Sequence, residues 1–175
     1  NREDVLYAMK CTQQLKAWTG KTHGVVVYDS TFNPFTHGGL FDVVKDKPNI
    51  ALIGTTTDGD VFGGFYSVAV TEQDTQSFDP NMFIFSFESH GRCATPQKFD
   101  VKEGLKESAY VKFYRRDSNG FVGFWADGSS GFRLGNEKTD SNSLDISKGF
   151  EGVQDTTLTR KNGPCYKGPF YHCTR

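Results

Sequence analysis

No apolar run in this chain approaches the roughly 20 residues that a membrane-spanning helix needs. The first residues, Asn1-Arg2-Glu3-Asp4, are polar and no apolar stretch follows them, which is not the pattern of a secretory leader. An excess of one charge is missing as well: 20 Lys and Arg stand against 21 Asp and Glu, a net charge of −1. Proteins that bind nucleic acid through its phosphates carry a basic excess, so nucleic acid is not the expected partner. The one local basic group, Lys112 with Arg115 and Arg116, falls on an expected strand and its turn and reads as a solvated face.

Catalytic patterns are equally sparse. There are four His, scattered along the chain, and no G-x-S-x-G elbow to present a nucleophile. No C-x-x-C pair occurs. The four cysteines, Cys11, Cys93, Cys165 and Cys173, are irregularly spaced in a chain long enough to fold without staples. They read as reduced thiols of a cytoplasmic protein. No cofactor signature is present, and the expectation is a protein without a cofactor. Internal repeats, low-complexity stretches and linkers long enough to separate domains are all absent.

What the chain does have is 16 Phe, 7 Tyr and 19 Gly in 175 residues. Aromatic residues suit pleated surfaces and glycines suit turns and bulges, so a β-rich fold is expected. Residues 4–18 form the clearest helix, with Val5, Ala8, Met9, Thr12, Leu15 and Trp18 at helical spacing, Asp4 as cap and Gly20 as stop. A helix of this kind at one end of a chain docks on its own domain. Val25–Tyr28 reads as a short strand and Phe32–Val44 as a helix. From residue 49 the period becomes that of strands: Ile50–Ile53, Val61–Val70, Met82–Glu88, Ser108–Tyr114 and Phe121–Ala126, with Phe132–Gly135 and Tyr166–Cys173 as weaker ones. Thr57-Asp58-Gly59-Asp60 supplies a hairpin turn. The expected fold is mainly β (α+β): two antiparallel sheets packed as a sandwich with a few flanking helices. Residues 1–19 form the helix and 20–175 the sandwich domain.

Four chemical readings of single motifs compete with that structural one. Ser30-Thr31-Phe32-Asn33-Pro34-Phe35-Thr36-His37-Gly38-Gly39 partly matches the G-x-F-x-P-x-(H/T)-x-G-H pattern of nucleotidyltransferases, but Ser30 replaces the first Gly and Gly39 the final His. That His supplies transition-state stabilisation of the kind worth roughly 10² in rate. His90 and Cys93 are spaced like half a zinc site, with Cys165, His172 and Cys173 as remote candidates. Asp58 and Asp60 are paired carboxylates on a turn, a weak calcium candidate. Cys93, beside His90 and Arg92, is the best candidate for a reactive thiol. The pair Gly63-Gly64 lies inside a strand, where glycine signals a bulge or a close backbone approach.

Two phrases then stand out together: Gly59-Asp60-Val61-Phe62-Gly63-Gly64-Phe65-Tyr66-Ser67 and Asp79-Pro80-Asn81-Met82-Phe83-Ile84-Phe85-Ser86-Phe87. They resemble the GxxFGGYxS and DPxAFLFSL phrases of the TLDc family. Val25–Ser30 and Lys47–Ile53 upstream, and Pro96-Gln97-Lys98-Phe99 downstream, are similar to further family segments. Gly123-Phe124-Trp125-Ala126-Asp127-Gly128 loosely echoes the family's later glycine-rich phrase. The resemblance covers about residues 20–175. It makes Phe62, Gly63, Gly64, Ser67, Asp79, Pro80, Phe83, Phe85 and Ser86 family-motif residues of structural rather than catalytic role. It also implies a β-sandwich, a non-enzymatic protein-binding role, and links to oxidative stress protection and to V-type ATPase subunits as partners. The recognition surface is expected in the loops at Thr71–Phe78 and Glu137–Ser143, since loops on a rigid scaffold carry binding.

Overall fold

The computed structural model describes residues 2–56, 58–116, 120–135 and 142–158. In chain order these form α1 (Arg2–Thr19), α2 (His37–Val44), β1 (Ile50–Thr55), β2 (Val61–Tyr66), β3 (Ser77–Phe78), β4 (Phe83–Glu88), β5 (Gln97–Asp100), a 3₁₀ helix at Glu103–Ser108, β6 (Tyr110–Phe113), β7 (Val122–Asp127), β8 (Ser130–Leu134), β9 (Asn142–Leu144) and α3 (Ile146–Gly149). One sheet has four strands in the order β1-β2-β4-β5, the other five in the order β3-β6-β7-β8-β9. Every pairing is antiparallel. The mainly-β sandwich with flanking helices is therefore what the chain forms. No helix among the described residues is long and apolar enough to cross a membrane.

Alternation along the strands builds two cores rather than one. On β2, Phe62 and Tyr66 join the cluster between the sheets, while Val61 and Phe65 face outward. On β4, Ile84 points between the sheets and Phe83, Phe85 and Phe87 point outward. The inner cluster is completed by Val111, Phe113, Val122, Phe124, Phe132 and Leu134 from the second sheet. The outer one would face water, and α1 covers it. Cys11 and Leu15 are buried there, and Trp18 lies parallel to Phe87 at 5.6 Å and edge-on to Phe83 at 6.1 Å. The molecule is thus three layers deep: helix, four-stranded sheet, five-stranded sheet.

The docked face of α1 is not the expected stripe. Val5 and Met9 are exposed, and Cys11 takes their place beside Leu15 and Trp18. Two residues along a helix turn roughly 200° around it, so Met9 and Cys11 cannot both meet the sheet. The three aromatic rings of β4 select the face that carries Trp18. Asp4 lies inside the first turn, because the helix begins at Arg2.

Other boundaries move for identifiable reasons. Val25–Tyr28 joins no ladder among the described residues; Val25 and Val26 are exposed, and the Tyr28 hydroxyl donates to the Pro34 carbonyl at 2.9 Å. The helix expected from Phe32 starts only at His37. Asp29 accepts the amides of Phe32 and Asn33 in a turn, and Thr36 Oγ1 caps the helix by accepting the Gly39 amide at 3.0 Å. β2 stops at Tyr66 rather than Val70, since the next amide, that of Ser67, donates to a carboxylate instead of a strand. The hairpin between β1 and β2 is as expected: Gly59 sits at φ +84°, and Thr56 donates its amide to the Asp60 carbonyl at 2.9 Å. β3, β5, β9 and α3 went unanticipated, being short and weakly apolar. Tyr166–Cys173 lies outside the described residues.

Glycine at 63 and 64 answers a packing demand from both faces. A Cβ on Gly63 would lie 1.8 Å from the Leu52 carbonyl oxygen and 2.9 Å from the Phe85 ring. One on Gly64 would lie 2.5 Å from the Phe124 ring of the opposite sheet. Gly63→Ala should therefore destabilise the fold by about 3 kcal/mol. Gly38→Ala, on α2 with nothing within 4 Å of the added methyl, should instead stabilise it by about 0.5–1 kcal/mol. Urea denaturation of the two variants checks both signs.

Tyr66 is buried in the inner core, and its hydroxyl has no hydrogen-bond partner among the described residues. Burial pushes its ionisation well above the ordinary 10.0, and burial with the nearby Asp29 charge pushes Tyr28 up to about 12. Below 10.0 both folded and unfolded chains keep these protons. Above it the unfolded chain ionises first, so stability should fall as pH rises from 10.0 through about 12. Tyr66→Phe should flatten that decline in denaturation midpoints measured against pH. At neutral pH it should cost nothing, or add about 1 kcal/mol, since no hydrogen bond is lost.

Candidate functional site

The two phrases singled out in the sequence become neighbouring strands. β2 and β4 are the two central strands of the four-stranded sheet, paired so that Phe62 faces Ser86, Gly63 faces Phe85, Gly64 faces Ile84 and Phe65 faces Phe83. Phe62 packs edge-on to Phe132 of the other sheet at 5.6 Å. Phe83 and Phe85 receive α1. Ser86 is buried on the inner side, and its hydroxyl has no partner among the described residues.

The remaining motif residues form a lock at the end of β2. Asp79 is fully buried. One carboxylate oxygen accepts the Ser67 amide at 2.5 Å; the other accepts the Ser67 hydroxyl at 2.9 Å and the Asn81 amide at 3.0 Å. The Asp79 amide in turn donates to the Ala109 carbonyl at 2.9 Å. The Asp79 carboxylate thus joins the exit of β2 to the entry to β4, and its backbone amide ties both to the start of β6. Pro80 follows it at the surface.

A second buried carboxylate sits at the other end of β2. Asp60 accepts from His90 Nδ1 at 2.7 Å and from Arg92 Nη2 at 2.9 Å. Arg92 also donates to the carbonyls of Thr157 at 3.2 Å and Leu158 at 3.4 Å. The aspartate–histidine contact has the geometry of a general-base dyad, but the guanidinium on the second oxygen makes it a staple. It ties the hairpin turn, the loop after β4 and residues 157–158 together. The sequence pattern paired Asp60 with Asp58 and set His90 and Arg92 beside Cys93, and it hid their convergence because 30 or more residues separate the turn from its partners.

The other candidates are placed as follows. Asp58 is exposed while Asp60 points inward, so the two do not form a common site. His90 is engaged with Asp60, and the Cys93 thiol faces Ser89 Oγ at 3.5 Å. No group of three or more His, Cys, Asp or Glu among the described residues is arranged to hold a metal ion; Cys165, His172 and Cys173 lie outside them. In the nucleotidyltransferase-like segment, Thr36 caps α2, the His37 ring nitrogen contacts the Tyr114 carbonyl, and Phe32 is 85% exposed. No strand precedes this helix to aim its end at a phosphate. Arg115 and Arg116 are exposed, and Lys112 lies over the Tyr114 ring at 5.7 Å.

The described parts of the two segments expected to carry recognition adjoin the outermost described strands of the five-stranded sheet. Thr71–Phe78 ends in the edge strand β3, with Phe78 exposed; residues 136–141 lie outside the described set, but the strand after them, β9, is the other edge. Four inter-strand steps separate the edges, roughly 19 Å. Compared with protein-family models and with curated proteins, the sequence matches none.

The lock at Asp79 predicts a specific loss. Asp79→Ala removes three charge-assisted bonds and leaves buried donors unpaired, and should destabilise the protein by about 3 kcal/mol or more. Ser67→Ala, which keeps the backbone donor, should cost about 1–2 kcal/mol. A double-mutant cycle in urea should show strong non-additivity. Additive losses would mean that the two residues do not act on each other.

Proposed function

We propose that this chain is a non-enzymatic protein-interaction domain of TLDc type, acting in the cytoplasm through V-type ATPase subunits and in protection against oxidative stress. The observation that supports this reading is what the shared phrases do. Phe62, Gly63, Gly64, Phe83, Phe85 and Ser86 build the centre of a sheet, and Ser67 and Asp79 lock its end. A motif whose residues hold a scaffold fits a family united by its fold and by binding rather than by a reaction. The edge loops then supply variable recognition on a fixed frame.

An affinity pull-down from the native cell, with peroxide titrated into the culture, tests the proposal. Proton-pump subunits should be recovered, and purified protein should turn over no nucleotide. Charge reversal of Glu72 and Asp74 in the first loop, or of Glu137 and Asp140 in the second, should weaken recovery. Nucleotide turnover, or recovery of no stable partner, overturns the interaction reading. Recovery of a different partner detaches it from the proton pump alone.

A further inference from the structure

A cavity of about 360 Å³ opens where α1 ends on the four-stranded sheet, within the roughly 300–1,000 Å³ typical of ligand pockets. Its walls combine Trp18 and the largely buried rings of Phe65 and Phe83 with Lys21, Lys98 and Lys106 and one acid, Asp100. These lysines come from three separate places: the residues after α1, strand β5 and the 3₁₀ helix. Asn49 and Asn81 add side-chain amides. Motif residues Ser67 and Pro80 also reach the wall, so the Asp79 lock that ends β2 shapes the cavity.

The charge here runs against that of the whole chain. Lys98 pairs with Asp100 at 3.1 Å and lies 4.9 Å above the Phe83 ring. Lys106 pairs with Glu103 at 2.8 Å. Lys21 has no carboxylate partner among the described residues. Three ammonium groups therefore meet two carboxylates in a protein whose net charge is −1. Both existing pairs are partly exposed, and such pairs contribute little to stability. Their lysines are free to turn toward a better-placed acid. A floor of aromatic rings under a rim of ammonium groups matches one kind of occupant, an acidic peptide segment with an apolar side chain beside its carboxylates.

We propose that this cavity is a docking pocket for an acidic segment of a partner protein, with Lys21 and Lys98 holding carboxylates and Trp18, Phe65 and Phe83 receiving the apolar side chain. The inference rests on the protein-binding reading above and assigns it a site distinct from the edge loops.

Trp18 provides the signal. The other tryptophan, Trp125, is buried on the far sheet with its indole N–H donating to the Tyr114 hydroxyl at 3.0 Å. The full chain would be titrated with the peptide Glu-Glu-Phe-Glu-Glu, with Gln-Gln-Phe-Gln-Gln and with inorganic phosphate, following tryptophan emission. The acidic peptide should give a saturable change that Trp18→Phe abolishes and that weakens with salt. Lys21→Glu, at an exposed position, should weaken binding by roughly tenfold or more without altering the melting temperature. Lys98→Gln should weaken it less. The glutamine peptide and phosphate should not bind.

No saturable change up to about 1 mM peptide, equal binding of the glutamine peptide, or undiminished binding by Lys21→Glu overturns the pocket. Phosphate binding as tight as the acidic peptide also overturns it, leaving a simple anion site. A protein that recovers partners from cells but ignores the peptide refutes the pocket alone. One that binds the peptide but recovers no partner refutes the cellular reading alone.

Discussion

The sandwich depends on two side chains that are not there. Gly63 lets β1 and β2 approach until the Leu52 carbonyl occupies the space a methyl would need, and Gly64 lets the Phe124 ring press against the backbone of the facing sheet. Either contact alone could be relieved by a small shift of the strand. Together they lie on opposite faces of adjacent residues, so a shift that relieves one tightens the other. The glycine pair therefore fixes the depth of both cores. Its conformational cost, roughly 1 kcal/mol per residue in a strand, is offset by aromatic contacts on both sides: Phe85 over Gly63, and Phe124 stacked on Phe132 at 5.2 Å.

The same constraint explains why the fold needs α1. With Gly63 bare, the outward face of β4 projects Phe83, Phe85 and Phe87 above its neighbour. A row of three aromatic rings is a large apolar surface to leave in water, about 25 cal/mol for each Å². The helix covers it through Trp18, Leu15 and Cys11. It belongs to the packing of the sandwich even though it precedes the segment that resembles a family.

Six of the nine described strands were legible in the sequence because each carries aromatic or β-branched residues between turn residues. Val122–Asp127 and Phe83–Glu88 are the clearest cases. Val25–Tyr28 misled for the same reason in reverse: β-branched residues favour a strand only where a neighbouring strand offers a ladder, and among the described residues no strand is assigned there. The helical face of α1 was misjudged because Val5, Ala8 and Met9 make a respectable stripe on their own; which stripe is buried depends on rings 70 residues away. The motif residues stood out in the sequence, yet the pairing of Asp79 with Ser67 did not. Nor was the staple at Asp60, whose histidine and arginine become meaningful only once β2 and β4 pair.

The two buried carboxylates divide the work of holding β2. Asp60 closes its start against the Arg92 guanidinium and a ring nitrogen of His90, an arrangement that needs its geometry intact because breaking the arginine pair leaves a buried charge. Asp79 closes its end with neutral donors, a hydroxyl and two amides, and so draws the chain itself into place. The difference bears on where function can sit. At the Asp60 end the carboxylate is engaged by Arg92 and His90, and Arg92 also reaches the carbonyls of residues 157–158. At the Asp79 end the carboxylate is satisfied without any lysine, so Lys21, Lys98 and Lys106 remain outside the lock, around a cavity whose shape the lock sets. A rigid frame beneath cations not needed for folding is the arrangement in which binding residues can change without loss of the fold.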